Sequence, residues 1–217
     1  MDEAGQDRKD RRQGYAPALF RATQELAGRD PLVLAHKSGA QVCCCDGGAD
    51  ITFSLWGKPV AVRWPSGTVE VADGSPLTVA WRLLALHYLL TADGTPLADR
   101  WLSFRELPDG RVYDSAFRRR SSQLLVAAYG SRLESLGPAA TKLGGVRICF
   151  GDAAYMFQVL PRARVAVIMH AGDDEFAPEA NMLFDASMRH YLPIEDVAVL
   201  GGLVAVELVR AGKDPAR

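Results

Sequence analysis

Titratable side chains concentrate in one segment of the sequence, between residues 170 and 196. The segment follows an apolar run that is typical of a strand, and a loop at a strand end is a common place for ligand-binding groups. Carboxylates and imidazoles are the side chains that bind hard cations and that exchange protons in catalysis. We therefore expect the site here, with these candidate residues for ligand or metal binding: Asp152 from an earlier strand end, His170, Asp173, Asp174, Glu175, Asp185 and His190.

Three chemistries fit this segment. Several of the acids bind a divalent cation, which needs several oxygen ligands, although the spacing matches no calcium loop. Alternatively, Asp174 or Glu175 works with His170 or His190 as an acid/base pair. In the third hypothesis the segment is a surface on which Arg189, His190 and the acids orient a polar cofactor or a partner.

A purely structural interpretation also stays open. In it, residues 173–175 solvate a loop, Asp185 and Ser187 cap helix starts, and Phe176 and Phe184 anchor the loop to the core. The sequence has no G-x-S-x-G, H-E-x-x-H, P-loop or complete G-x-G-x-x-G motif. These absences favour a non-catalytic protein over an enzyme.

Two smaller groups of residues also have chemical potential. Arg118, Arg119 and Arg120 lie in a predicted helix, where consecutive residues spread around the circumference, so at most two of them, such as Arg118 and Arg119, bind one anion. His87 lies in an apolar helix and is expected to be hydrogen-bonded to a neighbour, with a ligand role as the alternative.

The four cysteines are Cys43, Cys44, Cys45 and Cys149, and no pair has C-x-x-C spacing. Three consecutive strand residues point to alternating faces, so they cannot converge on one metal. We interpret them as small apolar strand residues in a reducing compartment. The alternative pairs Cys43 and Cys45, on one face, with a remote ligand for a soft metal.

Composition excludes several classes of protein. In 217 residues, 25 basic and 26 acidic side chains give a net charge of −1, which argues against general nucleic-acid binding. The hydrophobic share of 48% is too high for a disordered chain. The most apolar windows, 77–90 and 197–209, are shorter than the roughly 20 residues of a membrane span. With no export signal in the sequence, we expect a soluble, cytoplasmic protein.

Periodicity and turn residues predict an α+β fold. Short strands at 42–45, 51–56, 60–64 and 68–71, separated by tight turns, predict an antiparallel meander. Strands at 146–150, 154–160 and 164–170 predict a second antiparallel segment. Two long apolar helices, beginning at Ser75-Pro76 and at Pro193, are expected to pack these sheets.

Other helices and the domain limits complete the prediction. A helix with Leu19, Phe20, Thr23 and Leu26 on one face ends at Gly28, and a second begins at Asp30-Pro31 and ends at Gly39. Residues 111–113 are expected to be extended, and a helix capped by Asp114 or Ser115 is expected to end at Gly130. We predict disordered tails at 1–14 and 212–217 and a single α+β domain at 15–211.

Several short motifs together resemble domain-of-unknown-function family 3786, over roughly residues 15–210. They lie at 86–90, 103–110, 151–152, 160–161, 172–176, 183–185, 191–193 and 195–196. The resemblance supplies no catalytic residue. It implies an origin among anaerobic bacteria or archaea, where some members are joined to a cysteine-rich module of iron–sulfur and corrinoid proteins. This chain has no such four-cysteine module.

The resulting expectation is a non-catalytic binding or accessory protein that handles a cofactor or a redox or corrinoid partner protein. Two alternatives remain: a metal-assisted enzyme that uses the acidic segment 173–185, and a self-associating structural protein. Neither a membrane nor nucleic acid is expected as a partner.

Overall fold

A computed structural model describes residues 3–213, with side chains from Tyr15 onward. The fold is α+β with two antiparallel sheets, as predicted. The predicted tail at 1–14 lies outside the residues whose side chains are described, and residues 214–217 of the second tail lie outside the described chain. The helices are α1 (Glu3–Ala27), α2 (Pro31–Ser38), α3 (Val79–Thr91), α4 (Gly110–Arg120), α5 (Ser122–Tyr129), α6 (Leu136–Lys142) and α7 (Ile194–Lys213). The strands are β1 (Gln41–Cys45), β2 (Gly48–Leu55), β3 (Lys58–Trp64), β4 (Thr68–Val71), β5 (Trp101–Ser103), β6 (Val146–Arg147), β7 (Ala153–Leu160), β8 (Ala163–His170) and β9 (Glu179–Asp185).

The chain divides into two compact units. Unit 1 contains Met1–Thr95 together with the short segment His190–Leu192, and unit 2 contains Pro96–Arg189 and Pro193–Arg217. The limits of a single domain at 15–211 stay a prediction.

The sheet of unit 1 is the predicted meander, with strand order β1-β2-β3-β4. Alternate residues of β2 are buried, including Ile51 and Phe53, because one face of the sheet packs on helices. Phe53 contacts Tyr88 of α3 with ring centroids 5.9 Å apart. The indole Nε1 of Trp64 in β3 donates to the carbonyl of Leu26 in α1 at 3.1 Å. The meander is therefore fixed to both long helices of this unit.

The helices of unit 1 confirm two predictions and correct two others. Asp30 caps α2 through Leu32 N, and Gly39 ends that helix in the left-handed region, as predicted. Phe20, expected on the buried face of α1, is 67% exposed. Helix α3 begins after Thr78, three residues later than predicted, because the carboxylate of Asp73 accepts from Ser75 N and holds a turn there, while Thr78 Oγ1 caps Trp81 N.

The sheet of unit 2 has the order β5-β9-β8-β7-β6. The predicted strands 154–160 and 164–170 are present as β7 and β8. The predicted strand 146–150 shrinks to Val146–Arg147, and the segment 179–185, expected to be a loop, is strand β9 between β5 and β8. The acidic segment is therefore shorter than the sequence suggested, because a central strand occupies its second half.

Helices cover this second sheet. The rings of Phe104 and Phe117 stack at 4.2 Å, and Phe117 lies 5.9 Å from Phe184 of β9. This packing makes residues 111–113 part of α4 rather than an extended piece, and the predicted cap at Asp114 or Ser115 is wrong. The helix expected to run to Gly130 breaks at Ser121, which ends α4, and α5 begins at the next residue. In the described part of the chain no helix is long and apolar enough to cross a membrane.

Helix α7 has the predicted buried stripe of Val197, Leu200, Val204 and Leu208. The hydroxyl of Tyr129 in α5 donates to the carbonyl of Leu208 at 2.5 Å. The helix thereby completes the core of unit 2.

The cysteines lie where strands were predicted, but they are not packed in the core. Cys43, Cys44 and Cys45 form the last part of β1, the edge strand of its sheet, and all three are exposed free thiols. Cys149 is also free and exposed. The three residues of β1 are strand residues, as predicted, and their thiols lie at the surface of the protein.

Candidate functional site

Most of the predicted site residues meet at one end of the second sheet. Asp152 immediately precedes β7, His170 ends β8, and Glu179, the first residue of β9, pairs with His170. The backbone N–H of Asp152 donates to the carbonyl of Met169 at 3.0 Å. Its carboxylate Oδ2 accepts from the backbone N–H of Ala171 at 2.8 Å. Asp152 therefore fixes the direction in which the chain leaves β8.

The loop after β8 is held in shape by Asp173. Its carboxylate Oδ1 accepts from the backbone N–H groups of Glu175 at 2.9 Å and of Phe176 at 2.7 Å. The backbone N–H of Asp173 donates in turn to the carbonyl of Phe176 at 2.9 Å. The hydrogen bonds from Phe176 and Glu175 lower the pKa of Asp173 below its ordinary value. This carboxylate is ionised at neutral pH and its Oδ1 is committed to the loop backbone.

A shallow cleft of 410 Å³ lies between this loop and the end of helix α5. Two close approaches set its width. A Cβ at Gly130 would lie 2.8 Å from Pro178 Cγ, and one at Gly172 would lie 2.7 Å from Pro178 Cδ. The absence of a side chain at Gly130 lets the loop come this close to the end of the helix, and its absence at Gly172 lets the two ends of the loop approach each other. The cleft is lined by Gly130, Ser131, Gly172, Asp173, Asp174, Glu175, Phe176, Ala177 and Pro178.

The rim of the cleft combines charge with an exposed aromatic ring. Asp174 and Glu175 are exposed. Phe176 is 69% exposed, so the predicted role of this ring as an anchor to the core is wrong. A cleft with acidic groups beside an apolar ring can hold a cationic or amphipathic group of a ligand. The acids alone or the ring alone would not be specific for such a group.

Asp185 lies away from this cleft, at the opposite end of β9. It lies six positions after Glu179, which corresponds to about 20 Å along a strand. Its side chain is 1% exposed. Oδ1 accepts from Ala98 N and from the N–H and hydroxyl of Ser187, and Oδ2 accepts from Asp99 N, at 2.7–3.0 Å. The carboxylate therefore holds together the two pieces of chain around it.

His190 belongs to unit 1, whereas the cleft belongs to unit 2. Its Nδ1 lies 2.7 Å from Asp93 Oδ2. The backbone N–H of Thr95 also donates to Asp93, at 2.8 Å. The hydrogen bonds from Thr95, together with His190, lower the pKa of Asp93 to about 2. The histidine and its partner form a hydrogen-bonded pair within unit 1. No local pattern in the sequence predicts this pair, because the two residues are distant along the chain.

The predicted anion site and metal site gain no ligand set. Arg118, Arg119 and Arg120 are exposed in the last turn of α4, where positive charge stabilises the helix dipole. Among the described residues, no group of three or more His, Cys, Asp or Glu side chains is placed to hold a metal ion. Both sites stay predictions.

A comparison with protein families matches this chain to one of them. The profile of the family described as Domain of unknown function (DUF3786) matches residues 30–207. The chain belongs to the DUF3786 family. The matched region contains the cleft, Asp185, the Asp93–His190 pair and all strands of both sheets. No curated protein and no solved structure matches the chain.

Sequence reasoning found the acidic side of the cleft and missed its other wall. Gly130 was interpreted only as a helix end, and Ser131 was not considered. Both line the cleft because α5 ends beside Pro178, a contact between residues far apart in sequence. The sequence does contain a signal for β9, since Ala180, Met182 and Phe184 are apolar residues at every second position, and all three are buried.

Proposed function

We propose that this DUF3786 protein is a non-catalytic binding protein that docks a basic and apolar segment of a partner protein in the cleft between α5 and the 172–178 loop. The observation that carries the proposal is the exposed rim of Asp174, Glu175 and Phe176 around the cleft. Two acids attract a cationic side chain, and the ring provides apolar contact area.

The other carboxylates nearby support binding rather than catalysis. Asp152 and Asp173 both accept backbone N–H groups and hold the loop in one conformation. A loop that is already ordered loses little conformational entropy when a partner binds. The same carboxylates are thereby occupied with the scaffold, whereas an acid/base pair needs a group that is placed to exchange a proton with substrate.

The resemblance to family members that carry cysteine-rich modules makes a redox or corrinoid protein of anaerobic metabolism the first partner class to test. The metal-assisted enzyme and the self-associating protein are the alternatives.

A peptide titration tests the docking surface itself. The probes are a peptide of alternating Lys and Leu residues and a matched peptide with Glu in place of Lys, followed by isothermal titration calorimetry. We expect only the basic peptide to bind. The double variant Asp174→Asn, Glu175→Gln should weaken its binding by about tenfold, because about 1.4 kcal/mol of electrostatic attraction is removed.

An exposed phenylalanine in the other unit provides a matched control. Phe176→Ala is expected to weaken binding of the basic peptide, whereas Phe20→Ala, at a ring of almost equal exposure, should leave it unchanged. Equal affinity for the two peptides, or equal losses from the two alanine variants, would show that the cleft is not the docking site.

A further inference from the structure

Three consecutive thiols are displayed on the edge strand of unit 1. Cysteine is among the residues most often buried in proteins. Here Cys43, Cys44 and Cys45 are all free and exposed in β1, which lies at the edge of its sheet beside β2. Neither burial nor a disulfide explains this run.

The strand register separates the three thiols into two sets. Cys44 pairs with Ala49 of β2, whose side chain is 2% exposed and faces the core. Cys43 and Cys45 pair with Asp50 and Gly48, so both point to the opposite, outer face of the sheet. The sheet therefore presents Cys43 and Cys45 as a pair and keeps Cys44 apart from it.

The spacing of this pair suits a bridging ion better than a disulfide. Residues two apart on a strand lie about 6.7 Å from each other. A disulfide brings its Cβ atoms to within about 4.5 Å with an S–S bond of about 2.05 Å. Two metal–sulfur bonds of about 2.3 Å each, placed end to end, separate the two sulfur atoms by more than twice the length of an S–S bond. A metal ion between the two sulfurs therefore fits the flat strand, whereas a disulfide would require the strand to bend.

We propose that Cys43 and Cys45 chelate one soft monovalent cation, Cu(I), on the outer face of the sheet. Thiolates select soft ions, and two sulfur ligands are sufficient for Cu(I) but not for Zn²⁺, which takes four ligands in structural sites. Each thiol releases its proton to solvent when the sulfur binds the ion, and no electron is transferred.

The neighbours of the pair are compatible with this site. Opposite Cys45 lies Gly48, and Cys45 Sγ is 3.9 Å from the position that a Cβ on this glycine would take. The outer face beside Cys45 is thus free of a neighbouring side chain from that position. Opposite Cys43 lies Asp50, a half-buried acid whose negative charge favours a cation over an anion beside it.

A competition titration with Cu(I) tests the proposal. The whole protein is titrated with Cu(I) under anoxic conditions with ascorbate, and bicinchoninate serves as the coloured competing chelator. We expect one Cu(I) per chain. Cys43→Ser and Cys45→Ser should each reduce the affinity by about 100-fold or more, because losing even a hydrogen-bonding partner of a metal ligand costs up to about 100-fold.

The chain itself supplies two matched controls. Cys44→Ser removes the neighbouring thiol on the other face, and Cys149→Ser removes an exposed thiol of unit 2; both are expected to retain the affinity of the unsubstituted protein. An equal loss from Cys44→Ser would overturn the proposal, because it would show binding to any exposed thiol. A stoichiometry of one Cu(I) per two chains would also overturn it, in favour of an ion that bridges two copies.

Discussion

At the residue scale, the buried carboxylate of Asp185 is a polar group that unit 2 surrounds with hydrogen-bond donors. Burial disfavours its ionised form, but hydrogen bonds from Ser187, Ala98 and Asp99 outweigh burial and lower the pKa of Asp185 below its ordinary value. Asp185→Asn keeps the shape and removes the charge that these donors face. We expect the free energy of unfolding, measured in urea, to fall by about 2–3 kcal/mol.

The control for this prediction is Asp99→Asn. The carboxylate of Asp99 is 77% exposed and pairs with Arg164 at 2.7 Å. An exposed pair of this kind contributes less than about 1 kcal/mol. Similar losses from Asp185→Asn and Asp99→Asn would contradict the role assigned to the buried carboxylate.

We expect Asp93, which pairs with His190, to make an acid-sensitive contribution to the stability of the protein. The pKa of Asp93 is about 2 in the folded protein against an ordinary 3.8, so the unfolded chain binds a proton first as the pH falls. The contribution is fully present above about pH 4 and is lost as the pH falls towards 2. Asp93→Asn should therefore lower the urea midpoint at pH 6 and have a progressively smaller effect below pH 4.

Asp46→Asn, in the exposed turn between β1 and β2, is the matched charge change for that experiment. It should produce no comparable difference between the two pH ranges. If Asp93→Asn lowers the urea midpoint by the same amount at every pH down to 2, the hydrogen bonds to the ionised carboxylate are not the cause of the lost stability.

At the element scale, two adjacent glycines of helix α7 are expected to respond in opposite directions to alanine. A Cβ at Gly201 would lie 2.5 Å from Phe117 Cε2 and 2.9 Å from Met182 Sδ, so Gly201→Ala overpacks the core and should destabilise by about 1–3 kcal/mol. A Cβ at Gly202 meets only ordinary contacts at 3.6 Å with Arg120. Gly202→Ala should stabilise by up to about 1 kcal/mol through helix propensity. Thermal and urea unfolding of the two variants test this, and the same sign for both would show that α7 does not pack as described.

The elements that were predicted correctly are those whose signals are local. The meander follows from alternating residues and tight turns, and α2 follows from Asp30, Pro31 and Gly39. The start of α4 did not follow from such signals. Pro108-Asp109-Gly110 has the composition of a hairpin turn, but a Cβ at Gly110 would lie 1.9 Å from the carbonyl oxygen of Phe104, and the helix starts at this close approach. Its packing on Phe104 is a tertiary contact that sequence periodicity does not contain.

The same limit applies to the candidate site. The sequence placed acids after a strand end, and the structure confirms that position for residues 173–175. The sequence could not show that the carboxylates of Asp152 and Asp173 accept from backbone N–H groups, because those hydrogen bonds depend on where the chain turns. The sequence also could not separate Asp185 from the other acids. Strand β9, which was not predicted, carries Asp185 about 20 Å from Glu179 at a rise of about 3.3 Å per residue.

At the scale of the whole molecule, the order of the chain links the stabilities of the two units. Unit 1 contains Tyr191 and Leu192, both essentially fully buried, although the chain reaches them only after passing through unit 2. Tyr191 stacks on Tyr88 at 5.7 Å, and its hydroxyl donates to the carbonyl of Thr95. Residues 96–189 therefore form a loop that is closed by contacts within unit 1. While residues 96–189 are folded, their own structure holds the two ends of this loop. When they unfold, closing a long flexible loop costs conformational entropy.

We therefore expect unfolding of unit 2 to weaken unit 1. Three of the four tryptophans, Trp56, Trp64 and Trp81, lie in unit 1, so tryptophan fluorescence reports mainly on that unit while far-ultraviolet circular dichroism reports on the whole chain. The urea transitions followed by the two signals should coincide, as expected for one cooperative step. Asp185→Asn changes only unit 2, yet it should lower the midpoint of both signals together. If the midpoint of the circular dichroism signal shifts in Asp185→Asn while the fluorescence midpoint stays unchanged, the two units unfold independently. Residues 190–192 would then keep their contacts in unit 1 even when unit 2 is unfolded.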